Sequence, residues 1–212
     1  MVSQRLQVIA SMCPRQGNLV DIGSDHGLLL QLLFKQGFPS TLYGTELSED
    51  SFQHLKNQLI DLPIKIYQAD GLKKLPKDVV SIVITGMGGQ LIQSMLENGQ
   101  AQLRPIQTLI LGPQRDQELL RTWLMKSDWK IIDERFVLED QKGYPMIKAV
   151  QGKMKLTPIE LAYGPINIQK RESDFIAWLK QESQTLQKTL TFQHDDHKRQ
   201  RLEWIENYVK HN

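Results

Sequence analysis

Four short segments carry residue types suited to holding a ligand. The first is Asp21-Ile22-Gly23-Ser24-Asp25-His26-Gly27, directly after a short apolar run. Gly23 permits a tight turn and a close approach of backbone to ligand, and Gly27 suits the opening of a helix. A dinucleotide-phosphate turn carries a third, central glycine, but here Asp25 stands in its place. A carboxylate at that point repels a pyrophosphate and is better matched to an amino group. Asp21, at the end of the apolar run, suits a cationic or hydrogen-bond-donating ligand. Ser24 and His26 flank the same turn, and His26 also reads simply as a helix-start residue.

The second segment is Tyr43-Gly44-Thr45-Glu46-Leu47-Ser48. An acid about 20 residues past a glycine turn accepts hydrogen bonds from ribose hydroxyls, so Glu46 is the ribose candidate, with Leu47 beside it. The third is Asp70-Gly71, an acid able to bond an exocyclic amine and a glycine able to turn the chain; alone it would be only a turn signal. The fourth is Gly86-Met87-Gly88-Gly89. Closely spaced glycines cost backbone entropy without packing gain and make sense where a substrate approaches the chain. Met87 either packs against a flat group or fills a core gap.

The elements that must position these segments follow from hydrophobic period. Short apolar runs predict strands at 19–22, 41–46, 64–69, 79–85 and 108–111. Amphipathic stretches predict helices at 3–12, 26–35, 49–60, 90–97 and 116–126, with Ser3 and Ser48 as N-caps. The run 79–85 is nearly all apolar, as a central parallel strand must be. Strand–helix alternation predicts a doubly wound α/β sheet, with ligands at the carboxyl ends of the strands. Strands at 129–138 and 143–150, separated by a short turn, predict an antiparallel hairpin at one edge. Pro145 has no N–H to give a ladder, so 144–146 is expected at an edge or a bulge.

Beyond Gly152 the pattern changes. Pro158, Gly164 and Pro165 suggest a connecting loop over 153–168. Amphipathic helices are predicted at 170–190 and 198–209, joined by a polar turn, and should pair as an antiparallel helical hairpin or coiled coil. The expected division is 1–152 as a ligand-binding α/β domain and 153–212 as a helical region.

Composition sets the limits. The 212 residues are 40% hydrophobic and 24% charged, enough to build a core. The net charge of +2 comes from the tail beyond Gly152, which permits nucleic-acid binding without requiring it. No apolar run is long enough to span a bilayer. The start of the chain lacks a signal-peptide pattern, and the one cysteine, Cys13, cannot close an internal disulfide, so a cytoplasmic location is expected. His194, Asp195, Asp196 and His197 cluster, but adjacent turn residues seldom form a metal cage, and no metal site is expected.

Taken in order, Asp21 to His26, Asp70-Gly71 and Gly86 to Gly89 resemble the bacterial tRNA (adenine-N1)-methyltransferases that act on adenosine 22, the TrmK family. The later segments Arg115–Trp123 and Trp129-Lys130-Ile131 are also similar to it, so the resemblance covers roughly residues 1–150. It implies a Rossmann-like class I methyltransferase domain followed by a C-terminal coiled coil that helps to hold tRNA. It implies S-adenosyl-L-methionine as cofactor, bound by Asp21, Gly23, Ser24, Asp25, His26, Glu46, Leu47, Asp70, Gly71 and Gly86. Gly86, Met87, Gly88 and Gly89 would line the space where methyl meets base, with Asp25 a further candidate there. Arg5, Arg115, Arg121, Lys170, Arg171, Lys198, Arg199 and Arg201 are the candidate phosphate contacts.

Two departures concern the acceptor side. The family's Gln-Pro-Asn is here Gly112-Pro113-Gln114, and Tyr144 is followed by Pro145 where an acid is expected. Methyl transfer to N1 of an adenosine in tRNA is thus the leading reading, by an enzyme acting as a monomer with no membrane or obligate protein partner. A methyltransferase for another RNA, a protein or a small molecule is the second. A non-catalytic nucleic-acid-binding module is the third, and the intact order of Asp21, Glu46, Asp70 and Gly86–Gly89 speaks against it.

Overall fold

The structure is a computed structural model and describes residues 2–192 and 194–210. Helix α1 (Gln4–Met12) starts at Ser3, whose hydroxyl accepts the Leu6 N–H at 3.3 Å. Then come β1 (Asn18–Ile22), α2 (Leu28–Lys35), β2 (Leu42–Glu46), α3 (Glu49–Gln58), β3 (Lys65–Gln68), β4 (Val79–Thr85), α4 (Gly89–Asn98) and α5 (Gln100–Leu103). The core closes with β5 (Thr108–Gly112), α6 (Gln117–Lys126), β6 (Trp129–Glu139) and β7 (Lys142–Gln151). Ser48 caps α3 as its sequence position suggests, accepting from the Ser51 N–H at 3.0 Å. The short α5 had no sequence signal of its own.

The strand order is β3-β2-β1-β4-β5-β7-β6. β3, β2, β1, β4 and β5 run parallel, and β7 joins β5 antiparallel, with β6 outermost. Chain order reverses between β1 and β4, which makes the crevice at their carboxyl ends the expected ligand site. The expected edge hairpin is therefore present. Pro145 pairs with Phe136 of β6, while the β5 pairing of β7 ends at Ile147. One side of Pro145 is thus beyond the ladder, where its missing N–H costs nothing.

The central strands alternate between two cores. Ile82 and Ile84 of β4, with Leu109 and Leu111 of β5, pack on Ile92 and Leu96 of α4 and Leu120 and Leu124 of α6. Val83 and Ile110 point the other way, onto Ile9 of α1, Leu29 and Leu33 of α2 and Leu55 of α3. Burial on both faces is why these strands read as continuous apolar runs.

The segment 153–168 corrects the loop expectation. It holds two short helices, α7 (Pro158–Tyr163) and α8 (Pro165–Lys170). The prolines open these helices, where a missing N–H leaves no bond unmade. Thr157 and Glu160 form a reciprocal capping box: Thr157 Oγ1 accepts the Glu160 N–H at 3.3 Å, and Glu160 Oε2 accepts the Thr157 N–H at 2.8 Å. α9 (Ser173–Leu190) and α10 (Asp196–Lys210) form the helical hairpin. Arg171, just ahead of α9, meets Tyr208 near the end of α10, as antiparallel helices require. A third core of Phe136, Tyr163, Phe175, Leu179 and Ile205 fastens this hairpin to β6.

A buried ion pair secures the junction. Arg121 of α6 is 2% exposed and Glu134 of β6 is fully buried, with Arg121 Nε 2.9 Å from Glu134 Oε1. Arg121 Nη1 also donates to the carbonyls of Leu161 and Ala162, each at 3.0 Å. Glu134 Oε2 accepts the Ile166 and Asn167 N–H groups at 3.0 and 3.4 Å. Arg121 is therefore no phosphate contact: its guanidinium is enclosed and its donors are committed to the fold.

Candidate active site at the strand ends

The turn after β1 is tied to β2. The Gly23 and Ser24 N–H groups both donate to the Thr45 carbonyl, at 2.9 and 3.2 Å. The Asp25 N–H donates to Glu46 Oε1 at 2.5 Å, leaving Glu46 Oε2 as an acceptor. Gly23 (φ +69°) and Gly27 (φ +65°) both lie in the left-handed region that glycine adopts without strain. Asp25 shares it at φ +53°, a conformation that aspartate tolerates better than most residues. The pair of acids from β1 and β2 and the turn between them thus form one hydrogen-bonded unit.

Asp21 is 4% exposed. Burial raises its pKa from 3.8 to about 7; the Ser24 hydrogen bond works against the rise, and the nearby Glu46 charge adds to it. Among the described residues its charge has no ion-pair partner, so the site favours a cation arriving there. Asp25, in contrast, has a side chain 81% exposed, 3.7 Å from His26 Nε2. His26 Nδ1 and His54 Nε2 lie 2.9 Å apart, with the rings edge to face. This agrees with His26 holding the start of α2 against α3. Asp70 pairs with Lys73 at 2.7 Å, and with Gly71, Leu47, Leu91 and Met95 it lines an open hollow beside the ends of β2 and β4.

The glycines after β4 divide into two kinds. Gly86 (φ +79°) faces open space, with no atom within 4 Å of where a Cβ would stand. Gly89 instead meets backbone: a Cβ there would lie 2.5 Å from the Asp116 carbonyl oxygen. Its N–H donates to the Arg115 carbonyl at 2.8 Å. Gly88 lies under the Arg115 side chain. Gly88 and Gly89 therefore let the loops after β4 and β5 close on one another, a structural reason that the glycine run alone did not reveal. The Met87 methyl reaches over Gly23, within 2.3 Å of where a Cβ would be, so a side chain there would push that flexible methyl aside as well as strain a backbone held at φ +69°.

On the far side of Gly86 lies a cleft of about 180 Å³, lined by Thr85, Gly86, Gly112, Pro113 and Gln114 from the strand ends and by Tyr144, Pro145 and Met146 of β7. Helix α1 closes it with Ser3, Arg5, Leu6 and Ile9. Apart from Arg5, sequence reasoning missed this contribution of α1, because α1 is brought here only by tertiary packing. Asp25 is not among the lining residues.

The expected phosphate contacts are mostly engaged within the protein. Arg5 Nε lies 2.6 Å from Glu139, and its guanidinium covers the Tyr144 ring at 4.1 Å. Lys170 binds Asp133 and the Glu134 carbonyl. Arg171 stacks on Tyr208 at 3.9 Å, and Arg201 pairs with Glu118. Lys198 is 3.6 Å from Asp195, and Arg199 is 3.0 Å from His194 Nδ1. Arg115, 82% exposed and only loosely paired with Asp116 at 3.7 Å, lies over Gly88 and is the least engaged of these cations among the described residues.

A doubly wound parallel sheet ending in an antiparallel pair, with acid-bearing turns on three successive strand ends, defines a Rossmann-like methyltransferase fold. The chain matches the family model described as a methyltransferase domain over residues 2–147, and it belongs to that family. It is 34% identical over 156 residues to the Bacillus subtilis tRNA (adenine(22)-N(1))-methyltransferase, covering 71% of this chain and 66% of that protein, just under two thirds. The crystal structure of the B. subtilis M1A22 tRNA methyltransferase TrmK superposes with a TM-score of 0.82 at 27% identity, over 100% of this chain and 98% of that one. A Streptococcus pneumoniae candidate tRNA (m1A22) methyltransferase, solved in complex with S-adenosyl-L-methionine, gives a TM-score of 0.90 at 27% identity, over 99% and 100% of the two chains.

Proposed function

We propose that the protein transfers a methyl group from S-adenosyl-L-methionine to N1 of adenosine 22 in tRNA. The observation that carries this reading is the ordered set of acids Asp21, Glu46 and Asp70 at the ends of β1, β2 and β3, on the side of the switch point opposite the cleft that Gly86 lines. The likeness to tRNA (m1A22) methyltransferases along nearly the whole chain supports it.

The residues present fit the cofactor. Buried Asp21 would take the methionine ammonium, and Glu46 Oε2 the ribose hydroxyls, while Asp25, Ser24 and His26 shape the turn around them. Asp70 would exchange Lys73 for the adenine amine, with Leu47 and Gly71 at the edge of the adenine hollow. When bound, the cofactor supplies an electrophilic methyl group on a sulfonium. Gly86, without a side chain, would leave room for the methyl group to meet the base beside it. The half-open, largely apolar cleft beyond it would hold the acceptor base in line and out of much of the surrounding water. N1 lies on the pairing edge of adenine, so the base must leave its stack to enter. Of the two roles expected for Asp25, the position outside the cleft favours the cofactor side.

Residues 1–152 would carry the chemistry and 153–212 would present a docking face to tRNA. The enzyme would act as a monomer in the cytoplasm; no described helix is long and apolar enough to cross a membrane. The test is transfer of labelled methyl to unmodified bacterial tRNA, followed by nucleoside analysis. N1-methyladenosine should form and should disappear when adenosine 22 is replaced. Cofactor binding with no tRNA methylation would overturn the assignment and favour another acceptor.

A further inference from the structure

We propose that Tyr144 and Glu139 form a receptor for the acceptor base as it becomes a cation, and that Arg5 occupies this receptor while no base is present. The proposal rests on the reading that an adenine accepts the methyl at N1. In that step the N1 lone pair forms a bond to the methyl carbon, and the carbon–sulfur electron pair stays with sulfur. No proton moves. The positive charge leaves the sulfonium and spreads over N1, C6 and the exocyclic nitrogen of the base. The methylated base is thus a flat amidinium, and among side chains the guanidinium of arginine is closest to it in shape and charge.

The cleft already holds such a group. The Arg5 guanidinium lies 4.1 Å above the Tyr144 ring centroid, and its Nε is 2.6 Å from Glu139 Oε2. An aromatic face and a carboxylate together suit a planar delocalised cation. The fit of Arg5 is incomplete, since its buried Nε lacks an aligned hydrogen-bond acceptor. That makes it a displaceable occupant. Arg5 and Tyr144 line the same cleft that opens at Gly86, and Leu6, Ile9, Pro113 and Met146 leave its walls largely apolar. A base entering past Gly86 takes the Tyr144 face and pushes Arg5 outward. The receptor then holds the charged base more tightly than the neutral one, so its contribution grows along the reaction, as rate acceleration requires.

The experiment is saturation-transfer NMR with adenosine and 1-methyladenosine, in the presence of S-adenosylhomocysteine to fill the cofactor site. 1-Methyladenosine is a cation at neutral pH. The wild type should prefer it over adenosine by at least about threefold. Arg5→Ala should strengthen 1-methyladenosine binding, Tyr144→Phe should keep the preference, and Tyr144→Leu and Glu139→Gln should abolish it. Cofactor titration of each variant reports that it is folded. Equal binding of the two nucleosides, no transfer to either, or weaker 1-methyladenosine binding by Arg5→Ala would each overturn the proposal. Loss of tRNA binding in Arg5→Ala with unchanged nucleoside binding would do so too, and would make Arg5 a phosphate contact instead. A 1-methyladenosine preference with no methylation of tRNA would support the receptor and sink the tRNA reading alone. Normal tRNA turnover by Tyr144→Leu would do the reverse.

Discussion

Among the described residues two carboxylates, Asp21 and Glu134, are withdrawn from water, and they are treated in opposite ways. Glu134 is enclosed by Arg121 and by the first N–H groups of α8, and both of its oxygens are engaged. Asp21 is almost as buried, but its nearby charged group is another acid, Glu46, and its pKa is pushed up to about 7. A buried charge with a complete set of partners holds elements together. A buried charge without an opposite partner marks the place where a ligand must supply one. The contrast separates the junction with the tail from the candidate binding site without reference to any relative.

The largest effect should come from the satisfied pair. Arg121→Ala leaves Glu134 enclosed without its counter-ion and should lower stability by about 3–5 kcal/mol, read as the shift in urea unfolding midpoint at constant slope. No such loss would mean that water reaches Glu134 and that the junction is looser than described. Asp21→Asn should do the opposite. Cofactor affinity should fall by about 1.5–3 kcal/mol, roughly 10- to 150-fold, with stability at pH 8 equal to or above that of the wild type. The sign follows from the raised pKa: the folded state holds the proton more firmly than the unfolded chain, so stability declines as pH rises from about 4 to about 7. Calorimetric titration should accordingly show cofactor binding strengthening from pH 6 to 8 in the wild type, and a flat profile in Asp21→Asn.

Gly164→Ala offers a smaller perturbation of the junction. The added Cβ would stand 2.4 Å from Glu134 Oε2, on a residue held at φ +91°. It should cost about 1–3 kcal/mol in thermal unfolding and leave cofactor affinity unchanged. Arg115→Ala should be milder still, leaving stability intact, weakening tRNA binding and lowering the slope of log K against log salt by about 1. An unchanged slope would move the RNA path away from the loops after β4 and β5.

Much of this could be read from the sequence, and the reasons for failure differ. The alternation of apolar runs located the strands of the core, because strands buried on both faces leave continuous apolar stretches. The acids at 21, 46 and 70 lie on consecutive strand ends as their spacing suggested. The helices α7 and α8 were missed because Pro158 and Pro165 were read as breakers, although Thr157 and Glu160 already spelled a capping box. Arg121 could not be told from an exposed cation, since its partner lies across the fold on β6. Gly89 looked like a substrate-facing glycine, and only the backbone of Asp116 beside it shows otherwise. The walls of the cleft at Ser3, Leu6 and Ile9 carried no local signal at all.

The position of β7 between β5 and β6 also bears on how the chain is made. Synthesis delivers β6 before the strand that joins it to the sheet. A nascent chain that has passed Glu139 but not Gln151 carries β6 with its partner unfinished and the edge of β5 bare. Its aromatic Phe136 also awaits the helices that later cover it. Unpaired strand edges of this kind are the feature that makes partly folded chains prone to aggregate. Completing a single ten-residue strand closes both openings at once.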